Sequence, residues 1–146
     1  MTATVESLGE ATPDDLADLV DLIGLLGYRL DSDQLAARLG HLDPAAGYET
    51  WIVRDDSGRI SAVAGGHILW AYNADRPAAQ LMLLVVRQDA RRDGLGSRLL
   101  GHFEGWAKSH DAATLAAVSA AARENAHRFY QKRGYHAEGS AYTKIA

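Results

Sequence analysis

Residues 80–100 read QLMLLVVRQDARRDGLGSRLL, and the reading of this stretch decides the fold. The run from Leu81 to Val86 is apolar throughout and has the length of one buried strand. A polar, arginine-rich connection follows, Arg87 to Arg92, and then two glycines spaced by one residue, Gly94 and Gly96. Leu95, Leu99 and Phe103 recur at helical spacing beyond them. A strand that feeds through a glycine loop into a helix start is a device for holding anions. The first amide N–H groups of a helix have no carbonyl partner inside it, and the macrodipole adds about half a positive charge there.

Outward from that stretch, the rest of the chain supplies a sheet and its cover. Thr12 is placed to cap a helix that starts at Pro13, with Asp14 and Asp15 at its positive end. Leu16, Leu19, Val20, Ile23 and Leu26 share one face of that helix, which Gly27 stops. A second helix opens at Asp31-Ser32-Asp33 and ends before Pro44. Tyr48 to Arg54 reads as a strand, Asp55 to Gly58 as a hairpin turn, and Arg59 to Tyr72 as its longer partner. Gly65-Gly66 within that partner predicts a bulge or a close backbone approach. Thr114 to Ser119 reads as a further strand and Arg123 to Lys132 as a last helix, capped by Gly134. Thr2 to Leu8 reads as a short first strand, and Tyr135 to Ile145 as one bent strand or two short ones that close the chain. Helices alternate with strands in the second half while the first half holds a hairpin, so a mixed sheet in an α/β sandwich is expected.

Composition narrows the function classes. With 146 residues, 47% hydrophobic and 23% charged, the chain reads as one soluble globular domain. A net charge of −4 offers no basic field for nucleic acid or membrane. The absence of cysteine removes disulfides, zinc–thiolate sites and a thiol nucleophile together, and it fits a cytoplasmic location. The opening residues MTATVESLGE lack the basic and apolar regions of a signal peptide. A dinucleotide fingerprint needs glycine or alanine where Leu99 stands, and no Walker lysine follows either glycine. The six histidines show no metal-ligand spacing, so no metal is expected.

What remains is R-x-x-G-x-G, Arg91 to Gly96, directly after an apolar strand. This segment resembles the pyrophosphate-binding motif of the GNAT superfamily of acetyl-CoA-dependent N-acetyltransferases. The later segment from Asn125 to Tyr135, NAHRFYQKRGY, resembles the C-terminal motif of the same family, with the alanine directly after the asparagine. The resemblance is specific from Gln80 onward and covers the first half only by element order. It implies a single N-acetyltransferase domain over residues 1–146, built as a GNAT-type sandwich. Its sheet would be mixed and mostly antiparallel, with about six to seven strands and about four helices.

The resemblance also implies a layout. Acetyl-CoA would lie as cosubstrate in a V-shaped opening between the strand ending at Val86 and the strand starting at Thr114. Amides of Arg91, Arg92, Asp93, Gly94, Leu95, Gly96 and Ser97 would hold its pyrophosphate, and the backbone of Leu84, Val85 and Val86 would pair with its pantetheine. Asn125 and Tyr130 would lie near the pantetheine and sulfur, with Tyr130 as the acid that protonates the departing thiolate. A plain core aromatic is the competing reading of Tyr130. Tyr28, Trp70, Tyr72 and Tyr142 would line the acceptor pocket. Many members carry a glutamate where this chain has Gln80, and a carboxamide does not accept a proton usefully. Glu49, His67 and Asp75 are the titratable candidates for a base, and the choice among them stays open. The implied activity is acetyl transfer to a primary amine of a small molecule or peptide by direct attack in a ternary complex. The alternative is a non-catalytic acyl-CoA-binding or regulatory module. Neither nucleic acid nor membrane is an expected partner, and a homodimer is compatible with the family although no stripe of residues marks an interface.

Overall fold

A computed structural model describes residues 3–118, 124–137 and 142–146; for Arg92 and Glu124 it describes the backbone and not the side chain. The chain runs β1 (Val5–Ser7), α1 (Pro13–Gly24), α2 (Ser32–Leu39), β2 (Tyr48–Arg54), β3 (Ile60–Leu69), β4 (Ala78–Val86), α3 (Leu95–Ser109), β5 (Thr114–Ala117) and α4 (Glu124–Lys132). Short 3-10 turns precede β2 (Pro44–Ala46) and α3 (Gln88–Asp93).

Local chemistry starts the first two helices. Thr12 Oγ1 accepts from the Asp15 N–H at 3.1 Å while the Asp15 carboxylate accepts from the Thr12 N–H at 3.2 Å, a reciprocal cap. Asp31 and Gln34 repeat the device at the start of α2. Helix α1 ends three residues before Gly27, because Leu26 and Gly27 donate to Ile23 and Gly24 in a tightened last turn.

The five strands lie in the order β1-β2-β3-β4-β5, antiparallel up to β4, with β5 parallel to β4 after the α3 crossover. Helices α1 and α2 cover one face through Leu19, Leu22 and Leu35, packed on Ile52, Val63 and Val85. Helix α3 covers the other face through Leu95, Leu99 and Phe103, packed on Trp51, Ala64 and Leu81. The N-terminal turns of α1 are tied to the β2–β3 hairpin. Arg54 binds the buried Asp15 at 2.7 and 3.2 Å, and Arg59 Nε donates to both oxygens of the buried Asp18 at 2.9 Å. The Ile60 N–H adds a 3.1 Å bond to Asp18.

Three expectations change. The sheet has five strands among the described residues rather than six or seven, since 135–137 and 142–146 form no strand and 138–141 lie outside the described residues. β3 stops at Leu69 rather than Tyr72, because its partner β4 begins at Ala78, opposite Leu69, and offers nothing to pair with further on. β5 ends at Ala117, and Ser119 lies outside the described residues.

The expected irregularity at Gly65-Gly66 is present and has two parts. Gly65 pairs with Leu83 and Gly66 with Leu81, so Met82 is an extra residue on β4. That bulge reverses the phase of the strand: Leu81 packs toward α3, Leu83 and Val85 toward α1 and α2, and Leu84 and Val86 toward α3 again. The close approach is at Gly66, where a Cβ would stand 2.9 Å from Trp106, 3.0 Å from Trp51 and 3.2 Å from Phe103. These three rings pack edge-on or tilted against one another under the sheet.

Candidate functional site

The bulge at Met82 is where the sheet opens. β5 accompanies β4 from Ala78↔Thr114 to Leu81↔Ala117, and the Val118 N–H reaches back to the Leu81 carbonyl at 3.4 Å. Beyond Leu81, β4 has no partner on that side among the described residues, so residues 82–86 present a free strand edge able to hydrogen-bond an extended ligand.

That edge leads into the glycine loop. The Arg87 N–H donates to the Ser61 carbonyl at 2.8 Å, and its guanidinium holds Asp89 at 2.7 Å and Asp55 at 3.2 Å, which fixes the end of the strand to the hairpin turn. The chain then makes a 3-10 turn, passes Gly94 in the left-handed region (φ 73°, ψ 18°) and enters α3. The first bond of the helix runs from the Arg98 N–H to the Gly94 carbonyl at 3.1 Å. The amides of Leu95, Gly96 and Ser97 therefore have no carbonyl partner within α3, and no side chain caps them. Leu95 is buried and anchors this turn in the core.

The two glycines serve different ends. A Cβ on Gly94 would meet nothing within 4 Å, so its requirement is its backbone angle. A Cβ on Gly96 would stand 3.4 Å from the Phe129 ring and 3.8 Å from Val86, so a larger side chain there would push α4 off α3. Arg91 turns back, its Nε donating to the Val86 carbonyl at 3.3 Å; the side chain of Arg92 is outside the described atoms, and Asp93 is exposed. Arg133, which no sequence motif singles out, stands at the loop. It lies 3.7 Å over the Phe129 ring, donates to the Phe129 carbonyl at 2.9 Å, and hydrogen-bonds the Ser97 hydroxyl.

Tyr130 is half-buried on the α3 side of the sheet, in edge contact with Phe129 and Tyr135. Burial pushes its phenol above the ordinary value, so it carries a proton at neutral pH. Tyr135 is raised too, by burial first and then by Glu104, to whose carboxylate its hydroxyl donates at 2.8 Å. Asn125 is exposed in the first turn of α4. Gln80 pairs with His67 on β3 and with Ala116 on β5. His67 stacks on Tyr48 with centroids 4.0 Å apart. Asp75 is exposed in the β3–β4 loop, and Glu49 lies opposite Gly66. Beside the bulge, on the α1/α2 side, a cavity of about 170 Å³ lies between Leu39 and Leu42 on one wall and Gly65, Met82 and Leu83 on the other.

A search of the chain against protein families matches the acetyltransferase (GNAT) family over residues 17–135. The chain belongs to that family. No curated protein matches it. Solved structures share the fold at low identity. A GNAT family acetyltransferase from Staphylococcus aureus is 20% identical with a TM-score of 0.83, each chain covered in full. An aminoglycoside antibiotic 6'-N-acetyltransferase from Acinetobacter baumannii is 22% identical with a TM-score of 0.81, covering 99% of both chains. A ribosomal-protein-alanine N-acetyltransferase from Brucella melitensis is 18% identical with a TM-score of 0.77, covering 99% of this chain and 100% of its own.

Within this GNAT fold Phe129 and Arg133 of the C-terminal helix region meet the glycine loop at Gly96 and Ser97, while Tyr130 packs on the α3-side core. The elements do not gather the four aromatics into a cavity. Tyr28, Trp70, Tyr72 and Tyr142 are all exposed, the last two at 111% and 96%, and none of them lines the cavity at the bulge, whose walls are mainly aliphatic. Trp70 and Tyr72 fall past the end of β3, which removes the strand that would have aimed them. Among the described residues no group of three or more His, Cys, Asp or Glu side chains is placed to hold a metal, and no helix is long and apolar enough to cross a membrane.

Proposed function

We propose that this GNAT protein transfers the acetyl group of acetyl-CoA to a primary amine. The observation that carries the reading is the sequence of features along β4: the strand parts from β5 at Met82, exposes its edge, and delivers an uncapped helix start at Gly94. The free edge at Leu84, Val85 and Val86 suits the amide-bearing pantetheine arm as an added strand. The unpaired amides of Leu95, Gly96 and Ser97 suit the pyrophosphate, with the Arg133 guanidinium adding charge beside Ser97. Acetyl-CoA supplies a thioester whose carbonyl carbon the amine lone pair attacks, so that a C–N bond forms as the C–S bond breaks. A β4 amide at the opening would donate to the developing oxyanion. Tyr130, held protonated by burial, gives its proton to the departing sulfur, and the proton that the attacking nitrogen sheds on becoming an amide restores the phenol. The ammonium form of the amine must first lose a proton. Gln80 cannot take it, and His67, its neighbour in register, is the titratable side chain set beside it on β3.

A non-catalytic acyl-CoA-binding module is the second reading, favoured by Gln80 alone. The two separate in one experiment. Acetyl-CoA at about a hundred times its Kd should stabilise the fold by about 2.7 kcal/mol in both. Thiol release with a panel of primary amines should follow only if the protein is an acetyltransferase. Stabilisation with no release for any amine overturns the catalytic reading, and no stabilisation overturns both.

A further inference from the structure

The sheet opening has a neighbour that says something about the second substrate. The cavity beside the bulge holds about 170 Å³ and touches Met82 and Leu83, the first residues of β4 that β5 leaves unpaired. It therefore adjoins the point at which a thioester laid along β4 would present its carbonyl. Its walls come from Leu19 and Ile23 of α1, Leu35 and Leu39 of α2, and Val63 of β3. The room exists because β3 carries glycine at this point: Gly65 faces Leu83, whose Cβ stands 3.8 Å from where a Cβ at 65 would be. Glu49 and Thr50 of β2 also border it, yet little of its surface is polar, so a charged group seated deep among the aliphatic side chains would lose its water and gain little in exchange. Apolar cavities of about 150 Å³ accept a molecule the size of benzene.

We infer that the acceptor amine carries a compact apolar group, a phenyl ring or short branched alkyl chain, that seats in this aliphatic cavity while the nitrogen stands at the β4 opening. The inference rests on the acetyltransferase reading and deepens it. A wider groove of about 560 Å³ shares Leu39, Leu42, Glu49 and Thr50 with the cavity and is bordered by Glu10 and Asp43. A polycationic acceptor seated in that groove is the rival outcome.

The test compares 2-phenylethylamine, isopentylamine, ethylamine and spermidine as acceptors, scored by thiol release from acetyl-CoA and by the Tm of the CoA-bound protein. An enclosed apolar group should raise kcat/KM for 2-phenylethylamine over ethylamine by about ten- to a hundred-fold. Gly65→Val pushes methyl groups into the cavity and Leu42→Trp fills it from the loop side. Both should collapse that ratio while keeping the Tm increase on adding acetyl-CoA, which shows that each variant is folded. Equal kcat/KM for the two amines, a preference for spermidine, or a ratio that survives both variants overturns the inference. If no amine releases thiol, the acetyltransferase reading fails, and the cavity is judged by binding. A Tm increase with 2-phenylethylamine but not ethylamine, lost in both variants, upholds its apolar ligand class, and no increase overturns it.

Discussion

Replacing Gly94 with alanine places one methyl group where nothing lies within 4 Å, so any loss of stability comes from the backbone and not from a clash. Gly94 has φ 73° and ψ 18°, and the left-handed region costs an L-residue about 1–2 kcal/mol. Gly101 supplies the control. It lies in the exposed middle of α3, its added Cβ also meets open space, and alanine there should stabilise the helix by about 0.5–1 kcal/mol. Both substitutions restrict the unfolded chain equally, so that contribution cancels in the comparison. For a chain of 146 residues the unfolding entropy is roughly 0.3 kcal/mol/K, so each kcal/mol moves Tm by about 3 °C. Gly101→Ala should therefore melt above the parent protein and Gly94→Ala below Gly101→Ala by at least about 3–6 °C, read by differential scanning fluorimetry or calorimetry. Because the strain falls on the residue that orients the amides of 95–97, the Tm increase on adding acetyl-CoA should shrink in Gly94→Ala and persist in Gly101→Ala. Two variants that shift Tm equally and in the same direction would refute the reasoning, since the two sites offer the same open space to a Cβ and differ in backbone conformation.

Three further outcomes are expected. Tyr130→Phe should lower kcat about ten-fold or more, with the acetyl-CoA-induced rise in Tm unchanged; an unaltered kcat would return Tyr130 to a packing role. Gly66→Ala drives a methyl into Trp106, Trp51 and Phe103 and should cost about 1–3 kcal/mol in urea unfolding, whereas Gly65→Ala, whose Cβ meets only ordinary contacts, should cost far less. Equal stabilities would mean that the three rings move aside freely. Hydrogen bonds from Arg59 hold the Asp18 carboxyl below its ordinary value, so the stability it contributes is present above about pH 4 and is lost as pH falls through its folded-state pKa. Urea midpoints measured between pH 7 and 3 should fall less steeply in Asp18→Asn, and parallel curves would remove Asp18 from the acid response.

Much of this architecture is written in local chemistry. Thr12 with Asp15 marks the start of α1, and the change of period at Tyr48 marks β2 to the residue. The R-x-x-G-x-G segment after an apolar run marks the glycine loop, because a helix start and a left-handed glycine need only their own neighbours. Other features depend on residues far apart in the chain. Leu81 to Val86 are all apolar, so no alternation tells which of them face α3 and which face α1. That assignment comes from the extra residue at Met82, visible only once β4 is paired with β3. The reason for glycine at 66 is three rings contributed by β2 and α3, and Arg133 meets Ser97 across 36 positions of sequence. The aliphatic cavity exists only when two helices close over a strand that lacks a side chain at Gly65. Sequence alone determined where α1 and α2 start and the glycine turn before α3, since those are set by hydrogen bonds and backbone angles within a few residues. Tertiary structure decided where the sheet opens and what lines the space beside it, since those depend on the register between strands and on volumes that distant side chains fill or leave empty.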